Sequence, residues 1–469
     1  GEMELGEKKV AYEGSLDRLY NHDFHKFLEY NIQDVMLIAN MDKKLQFIDL
    51  ANTIAHDNTV LLFTTMGAVA TTEQAIINEA HRRGMCVPDR KRSKPDPSST
   101  AAAGAYVATP KKGFHEWIGS MDINSLYPSV FRALNMAQET IVGQLRQDGT
   151  KARIEGELAK GKSFANAWEG QFGSVEFDSV MEREVGRQIT IDWEDSDNSD
   201  TISAAQVYDL IFESNQPWML SANGTIFTYE KEGVIPGLLK RWYKERKEMQ
   251  GKMRDAIKAK NPIEEEYWAK RQLVKKILLN SLYGAILNPG CRFFDNRIGQ
   301  STTLTGRQIV KHMSAKVNEI ITGEYSHTGK AIVYGDTDSS YFSAYSTLKD
   351  EINKGNIPWD KDSVMALYDQ ICDEANTTFP KFMVDTFHCP KSRSDVIAAA
   401  REIVATKGLF ITKKRYAVLY YDVEGKRTDV DGKAGKIKAM GLDLKRSDTP
   451  VVIQDFLSQV LEKVLAGKE

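Results

Sequence analysis

Two long helical patterns, 236–260 and 264–286, lie back to back in the middle of the chain, separated only by Asn261-Pro262. Asparagine caps a helix and proline is tolerated only in its first turn, so the chain reverses there and an antiparallel helical hairpin is expected. The flanking segments have the opposite texture. Residues 117–125 (WIGSMDINS), 331–342 (AIVYGDTDSSYF) and 416–423 read as short apolar strands, the first two interrupted by carboxylates. Strands before and after a long helical insertion predict an α+β chain with one mainly antiparallel sheet assembled from distant segments.

The ends are helical as well. Within 15–85, the stretch 34–54 places Val35, Ile38, Met41, Leu45 and Ile48 at helical spacing, although the Thr- and Val-rich residues 59–65 weaken the pattern. Residues 89–100 (DRKRSKPDPSST) read as an exposed linker. Residues 449–468 read as an amphipathic helix with Val452, Phe456, Val460 and Val464 on one face, Thr449 as its cap and Pro450 as its first residue. No internal repeat is visible.

Composition narrows the function classes. The 469 residues, 42% hydrophobic and 27% charged, suffice for two or three cores. No run approaches the roughly 18 apolar residues of a membrane span. The first five residues lack a signal peptide's basic start and apolar stretch, so a cytoplasmic protein with no membrane partner is expected. Cys86, Cys291, Cys372 and Cys389 are scattered without metal-ligand spacing, which argues against zinc and against disulfides. The net charge of −3 is unfavourable for gripping a polyanion, but the charge is segregated. Residues 391–446 carry 14 Lys plus Arg against 7 Asp plus Glu, whereas 192–200 (DWEDSDNSD) carries five carboxylates and no base, the latter reading as a solvated face.

Three constellations carry chemistry. In Asp122-Ile123-Asn124-Ser125-Leu126-Tyr127-Pro128-Ser129, a carboxylate ends an apolar strand and a turn of small residues closed by Pro follows. Such a carboxylate can hold a divalent cation while backbone groups meet an anion the cation bridges. In Tyr334-Gly335-Asp336-Thr337-Asp338-Ser339, Gly335 permits a hairpin turn carrying two acids one residue apart, a pattern that calls for a cation such as Mg²⁺. Alone, the segment reads equally well as an acidic hairpin tip. In the second hairpin helix, Lys276, Asn280, Tyr283 and Gly284 fall at i, i+4, i+7 and i+8 and share one side, with Arg246 and Lys247 on the facing helix. Opposed basic helices facing a carboxylate-bearing sheet would form a triphosphate cradle.

The order Asp-x-x-Ser-Leu-Tyr-Pro-Ser, Lys-x-x-x-Asn-Ser-x-Tyr-Gly, Tyr-Gly-Asp-Thr-Asp-Ser resembles motifs A, B and C of family B DNA polymerases. Similarity to the replicative polymerases of large tailed bacteriophages extends through Gly104-Ala105-Tyr106-Val107, Glu402, Lys413-Lys414-Arg415-Tyr416, Met440-Gly441-Leu442 and Ser447-Asp448-Thr449-Pro450. The resemblance implies a right-hand architecture. Its parts would be an exonuclease-domain remnant with helical connection (1–88), a linker (89–103), a first palm part with an insertion (104–233), helical-hairpin fingers (234–286), a second palm part (287–446) and the start of a thumb (447–469). It further implies template-directed addition of dNMP to a primer 3′-hydroxyl, with two Mg²⁺ ions (Mn²⁺ as substitute) held by Asp122, Asp338 and the Ile123 carbonyl. Asp336 and Glu402 would be accessory acids. Ser125, Leu126, Tyr127, Arg246, Lys276 and Asn280 would meet the nucleotide, Tyr127 as a steric gate against ribose. Gly104, Tyr106, Tyr283, Gly284, Lys413, Lys414, Arg415 and Tyr416 would meet primer-template DNA. A sliding clamp or a companion chain would be further partners.

The chain departs from the pattern in three places. Tyr30-Asn31-Ile32-Gln33-Asp34 resembles the third motif of the family's proofreading exonuclease, but the two motifs expected before it would lie upstream of Gly1, so no 3′-5′ exonuclease is expected. Most of the thumb would lie beyond Glu469. One turn after Arg246, where phage relatives tend to carry Lys, stands Gln250, with Lys252 two residues on. Two alternatives stay open: an incompetent fragment or DNA-binding half that needs a partner chain, and a protein-primed polymerase, for which 144–223 leaves room.

Overall fold

The computed structural model describes residues 1–89, 103–430 and 432–467. The expected linker at 89–103 falls, apart from its two end residues, outside them. The chain divides into two compact units, Gly1–Arg90 with Arg241–Arg292, and Lys91–Lys240 with Phe293–Glu469.

The first unit is helical. Its helices include Phe24–Leu45, Phe47–Asn58 and Ala68–Arg82, and Val234–Lys258 runs into it from residue 241. Asn261 caps the Pro262–Ile286 helix by accepting the Glu264 amide, with Pro262 in the first turn, which is the reversal the sequence predicts. Pro262–Ile286 buries Val274, Leu278, Leu279, Leu282, Ala285 and Ile286 and packs on Ala68–Arg82 and Phe47–Asn58. The Lys275 ammonium is buried with them, 3.1 Å from Asp57 and 2.8 Å from Glu245, which ties together three helices. Glu79 is buried among Arg82, Arg83 and Arg241; burial pushes its carboxyl up, but the arginines prevail and hold it below the ordinary range.

Two features of this unit refine the sequence reading. Residues 59–65 interrupt the helical run, as their composition suggests, with Leu62–Met66 a 3₁₀ turn. The stripe at 34–54 is helical, but Val35, Ile38 and Ile48 face solvent, Ile38 being 67% exposed, and Leu37 is the buried side chain of its helix. Periodicity reports that one face is apolar, not whether a neighbour covers it.

The second unit holds two antiparallel sheets rather than the single one expected. Its strands are β1 (Gly113–Ile123), β2 (Ile141–Leu145), β3 (Gln188–Trp193), β4 (Ser199–Ser203), β5 (Trp218–Leu220), β6 (Thr225–Thr228), β7 (Ile332–Asp336), β8 (Ser339–Phe342), β9 (Ala399–Thr412), β10 (Arg415–Val423), β11 (Lys426–Arg427) and β12 (Lys436–Met440). The main sheet runs β11-β10-β9-β1-β8-β7, with β12 beside β10. Residues 141–228 supply the smaller sheet, β4-β3-β2-β6-β5. β1 is irregular: Trp117 adopts φ 52°, and the register with β9 shifts between Gly119 and Met121, bulges that bend a long strand.

Behind β7 and β8 packs the helix Asn296–Thr322, most of it buried. Its buried side mixes hydroxyls with apolar side chains. Thr302 donates to the Ile298 carbonyl, Ser301 bonds Ser221 and Thr225, and Thr305 accepts the Ala222 amide, so these buried hydroxyls are satisfied alongside the apolar face of Leu304, Ile309, Val310, Met313 and Val317. The last helix, Val451–Ala466, begins after Pro450 with no side-chain cap, so Thr449 does not cap it. Its Leu457, Leu461 and Leu465 pack under β10 and β12, whereas the predicted face of Val452, Phe456, Val460 and Val464 is the exposed one.

Candidate active site

β1 and the β7–β8 hairpin bring two of the three constellations together. Asp122 lies opposite Ser339 of β8 and Ala400 of β9, and the Ile123 amide donates to the Asp338 carbonyl at 2.9 Å. Asp338 occupies the second place of the two-residue turn Thr337-Asp338, with Asp336 and Ser339 as the closing pair. The left-handed residue is Thr337 at φ 59°, not Gly335, which sits in β7 opposite Ser340. A β-branched residue tolerates that region poorly, and the turn is held from outside by the Thr337 amide donating to the Tyr106 carbonyl at 2.8 Å.

The four acids divide into two kinds. Asp336 is bound by the Lys414 ammonium at 2.6 and 2.9 Å and by the Thr337 hydroxyl at 2.9 Å. Glu402 is bound by Lys438 at 2.7 and 2.9 Å and by the Ser120 hydroxyl at 3.2 Å. Asp122 and Asp338 have no side-chain hydrogen-bond or ion-pair partner among the described residues, and both are half-buried. Burial, with Asp338 and Glu402 adding to it, pushes the Asp122 carboxyl up to about 7. Burial also raises Asp338, helped by Asp336 and Glu402 against its own backbone amide. Two carboxylates driven toward protonation by burial and by neighbouring acids have no cation in contact among the described residues, and a divalent ion would supply the compensating charge. The residues present therefore fit a divalent metal site, although no group of three or more His, Cys, Asp or Glu in metal-binding geometry occurs among the described residues.

Past Ile123 the chain turns through Ser125 at φ 50° into the helix Leu126–Ala133. Pro128 therefore sits inside the first helical turn instead of closing the preceding turn. This leaves the Leu126 and Tyr127 amides at a helix start, where backbone N–H groups lack helical partners and favour an anion. Tyr127 is half-buried, and burial, with Asp338 next, pushes its hydroxyl up to about 12.

The sequence of residues 59–469 matches the family described as DNA polymerase family B. The chain belongs to that family. Among its relatives, the DNA-directed DNA polymerase of Escherichia phage RB69 is 24% identical, over all of this chain and 51% of that protein. That of Enterobacteria phage T4 is 24% identical over 98% of the chain and 51% of that protein. The DNA polymerase of Pyrococcus glycovorans is 23% identical over 84% of the chain and 36% of that protein. The chain thus spans about half the length of the phage relatives.

The remaining predicted residues of this family B chain have varied surroundings. Arg307 donates to the Gly104 carbonyl, and the Tyr106 ring lies 5.0 Å from that of Phe172. On the β9–β10 turn, Lys413 pairs with Glu169 at 3.0 Å, Lys414 holds Asp336, and Arg415 donates to the Gly441 carbonyl at 3.1 Å. Tyr416 is 4% exposed, its hydroxyl 2.9 Å from that of Tyr341, so it supports the turn from within the core and presents no surface to DNA. In the helical unit, Lys276, Asn280 and Gly284 share one exposed face, opposite the buried one, and Tyr283 is half-buried. Arg246 has a buried Nε without a hydrogen-bond partner among the described residues, and burial lowers its guanidinium below the ordinary range. Lys252 rests against the Trp268 ring, its ammonium 4.3 Å from the ring centroid.

Two residues escaped the sequence reading. Lys438, on β12, neutralises Glu402, and its alternation with Lys436 along a strand was the only available signal. Gly306 backs the Leu126–Ala133 helix: a Cβ there would meet Leu126 at 3.3 Å and Tyr127 at 3.4 Å. A glycine within a helix is a recognisable oddity, but its partner is distant in sequence.

Proposed function

We propose that this chain performs template-directed DNA synthesis, joining dNMP from a dNTP to a primer 3′-hydroxyl. The observation that carries the reading is the pairing of Asp122 and Asp338, neither with an ion-pair partner among the described residues, beside two acids that lysines already pair with. In this reading Asp122, Asp338 and the Ile123 carbonyl hold Mg²⁺, or Mn²⁺ in its place. A divalent ion held there would supply Lewis-acid chemistry for the primer hydroxyl and counter-charge for the triphosphate and pyrophosphate.

The chain's own groups then divide the remaining work. The Leu126 and Tyr127 amides receive phosphate oxygens, and the Tyr127 ring excludes a 2′-hydroxyl. Lys414 and Lys438 pair with Asp336 and Glu402 without drawing on the metal pair. Arg246, Lys276 and Asn280 are assigned the triphosphate on the motif and on the exposure of the last two. Ser125 sets the turn before the amides. Gly104, Tyr106, Tyr283, Gly284, Lys413 and Arg415 are assigned to primer-template DNA.

The test is extension of a labelled primer on a DNA template with dNTPs and Mg²⁺, with Asp338→Ala alongside and a mismatched primer end included. Extension lost in the variant, without trimming of the mismatch, supports a polymerase core that does not proofread. No extension by a folded chain favours the alternative that a companion chain is required.

A further inference from the structure

We propose that a lysine-lined cavity at the opposite end of β1 from the carboxylates binds single-stranded nucleic acid. The cavity, of about 560 Å³, is lined by Lys111, Lys330, Lys349, Lys407 and Phe114, with Glu116 the one acid among its described lining residues. Phe114 and Asp122 stand eight positions apart on β1, on the order of 25 Å along a strand. The two sites are therefore separate.

Three observations point to the ligand. Four cations converge on one concavity, and Lys330, Lys349 and Lys407 form no ion pair among the described residues, so the site holds uncompensated positive charge. The structure also holds one cation in place: the Lys111 ammonium donates to the Gly329 and Lys330 carbonyls at 2.6 and 3.0 Å, and its amide donates to the Val333 carbonyl at 2.9 Å. Phe114 is 53% exposed although it sits in a strand, and the Lys407 ammonium lies 5.3 Å from its ring although Lys407 stands opposite Glu116 in the β1–β9 register. An open aromatic face flanked by lysines offers an unpaired base a stacking platform and its phosphates a counter-charge. A duplex keeps its base faces covered, and an acidic peptide makes no use of an exposed ring, so an unpaired strand fits best.

The test uses the whole chain and a fluorescent single-stranded oligonucleotide without primer or dNTP, in an Asp338→Ala background. Its outcome is then independent of whether the chain polymerises. Phe114→Ala is expected to weaken binding roughly 5- to 100-fold. Lys349→Glu with Lys407→Glu is expected to flatten the dependence of log affinity on log salt by about 1.4. An oligonucleotide carrying 5-iodouracil is expected to crosslink to the peptide containing Phe114, and to lose that adduct in Phe114→Leu, which keeps the apolar contacts. Unchanged affinity and salt slope, a crosslink that persists without Phe114, or equal competition by a poly-glutamate peptide would overturn the proposal.

Discussion

Asp122 carries the clearest consequence of burial at the residue scale. Its carboxyl, pushed up to about 7 from an ordinary value near 4, keeps in the folded state a proton that the unfolded chain has already lost. Its contribution to stability therefore falls as pH rises from about 4 through 7. Asp122→Asn mimics the protonated form, so without divalent cation it should be more stable than wild type by about 1–3 kcal/mol at pH 8, and the gain should vanish at pH 4. Urea denaturation at the two pH values checks this, and primer extension by the variant should be lost. Gly306→Ala should leave stability within about 1 kcal/mol, because better helix propensity offsets the crowding. The displaced Tyr127 should show instead as a several-fold change in the dNTP KM and in discrimination against rNTP, read by single-nucleotide kinetics. The residue types of both motifs were legible because chemistry selects them. Thr337 was not, since a left-handed β-branched residue is held by Tyr106, a segment more than two hundred positions away.

Among the elements, the Pro262–Ile286 helix was the most legible, because capping and proline chemistry act within four residues. Its buried side depends on Lys275, shared by Asp57 and Glu245. Lys275→Met should cost about 2–4 kcal/mol by leaving two carboxylates side by side, and restoring neutrality with Asp57→Asn and Glu245→Gln should recover most of it in urea titrations. Helix Asn296–Thr322 carries Ile309, Val310, Met313 and Val317 at helical spacing, but that its hydroxyls would be buried and bonded within the helix and to β6 and its neighbouring loop only the structure shows. Val451–Ala466 was found, but with the wrong face inward: valines and leucines lie on both sides of it, and only packing under β10 and β12 chooses between them.

The whole molecule carries a net charge of −3 and yet has an excess of cations in 391–446. Part of that excess is already engaged, Lys413 by Glu169 and Lys414 by Asp336. Arg415→Ala should weaken duplex binding about equally across DNA sequences and reduce its log-log salt slope by about 1, measured by fluorescence anisotropy. By itself the sequence determined the family, the hairpin reversal, the order of the acidic and basic motifs and the segregation of charge, because each depends on residue identity and short spacing. Only the tertiary structure decided which acids meet lysines, which apolar faces are covered, that Tyr416 lies inside and that Phe114 lies open at the mouth of a basic cavity. Those outcomes follow from strands and helices far apart in the chain coming into contact, and burial and charge pairing exist only once they have.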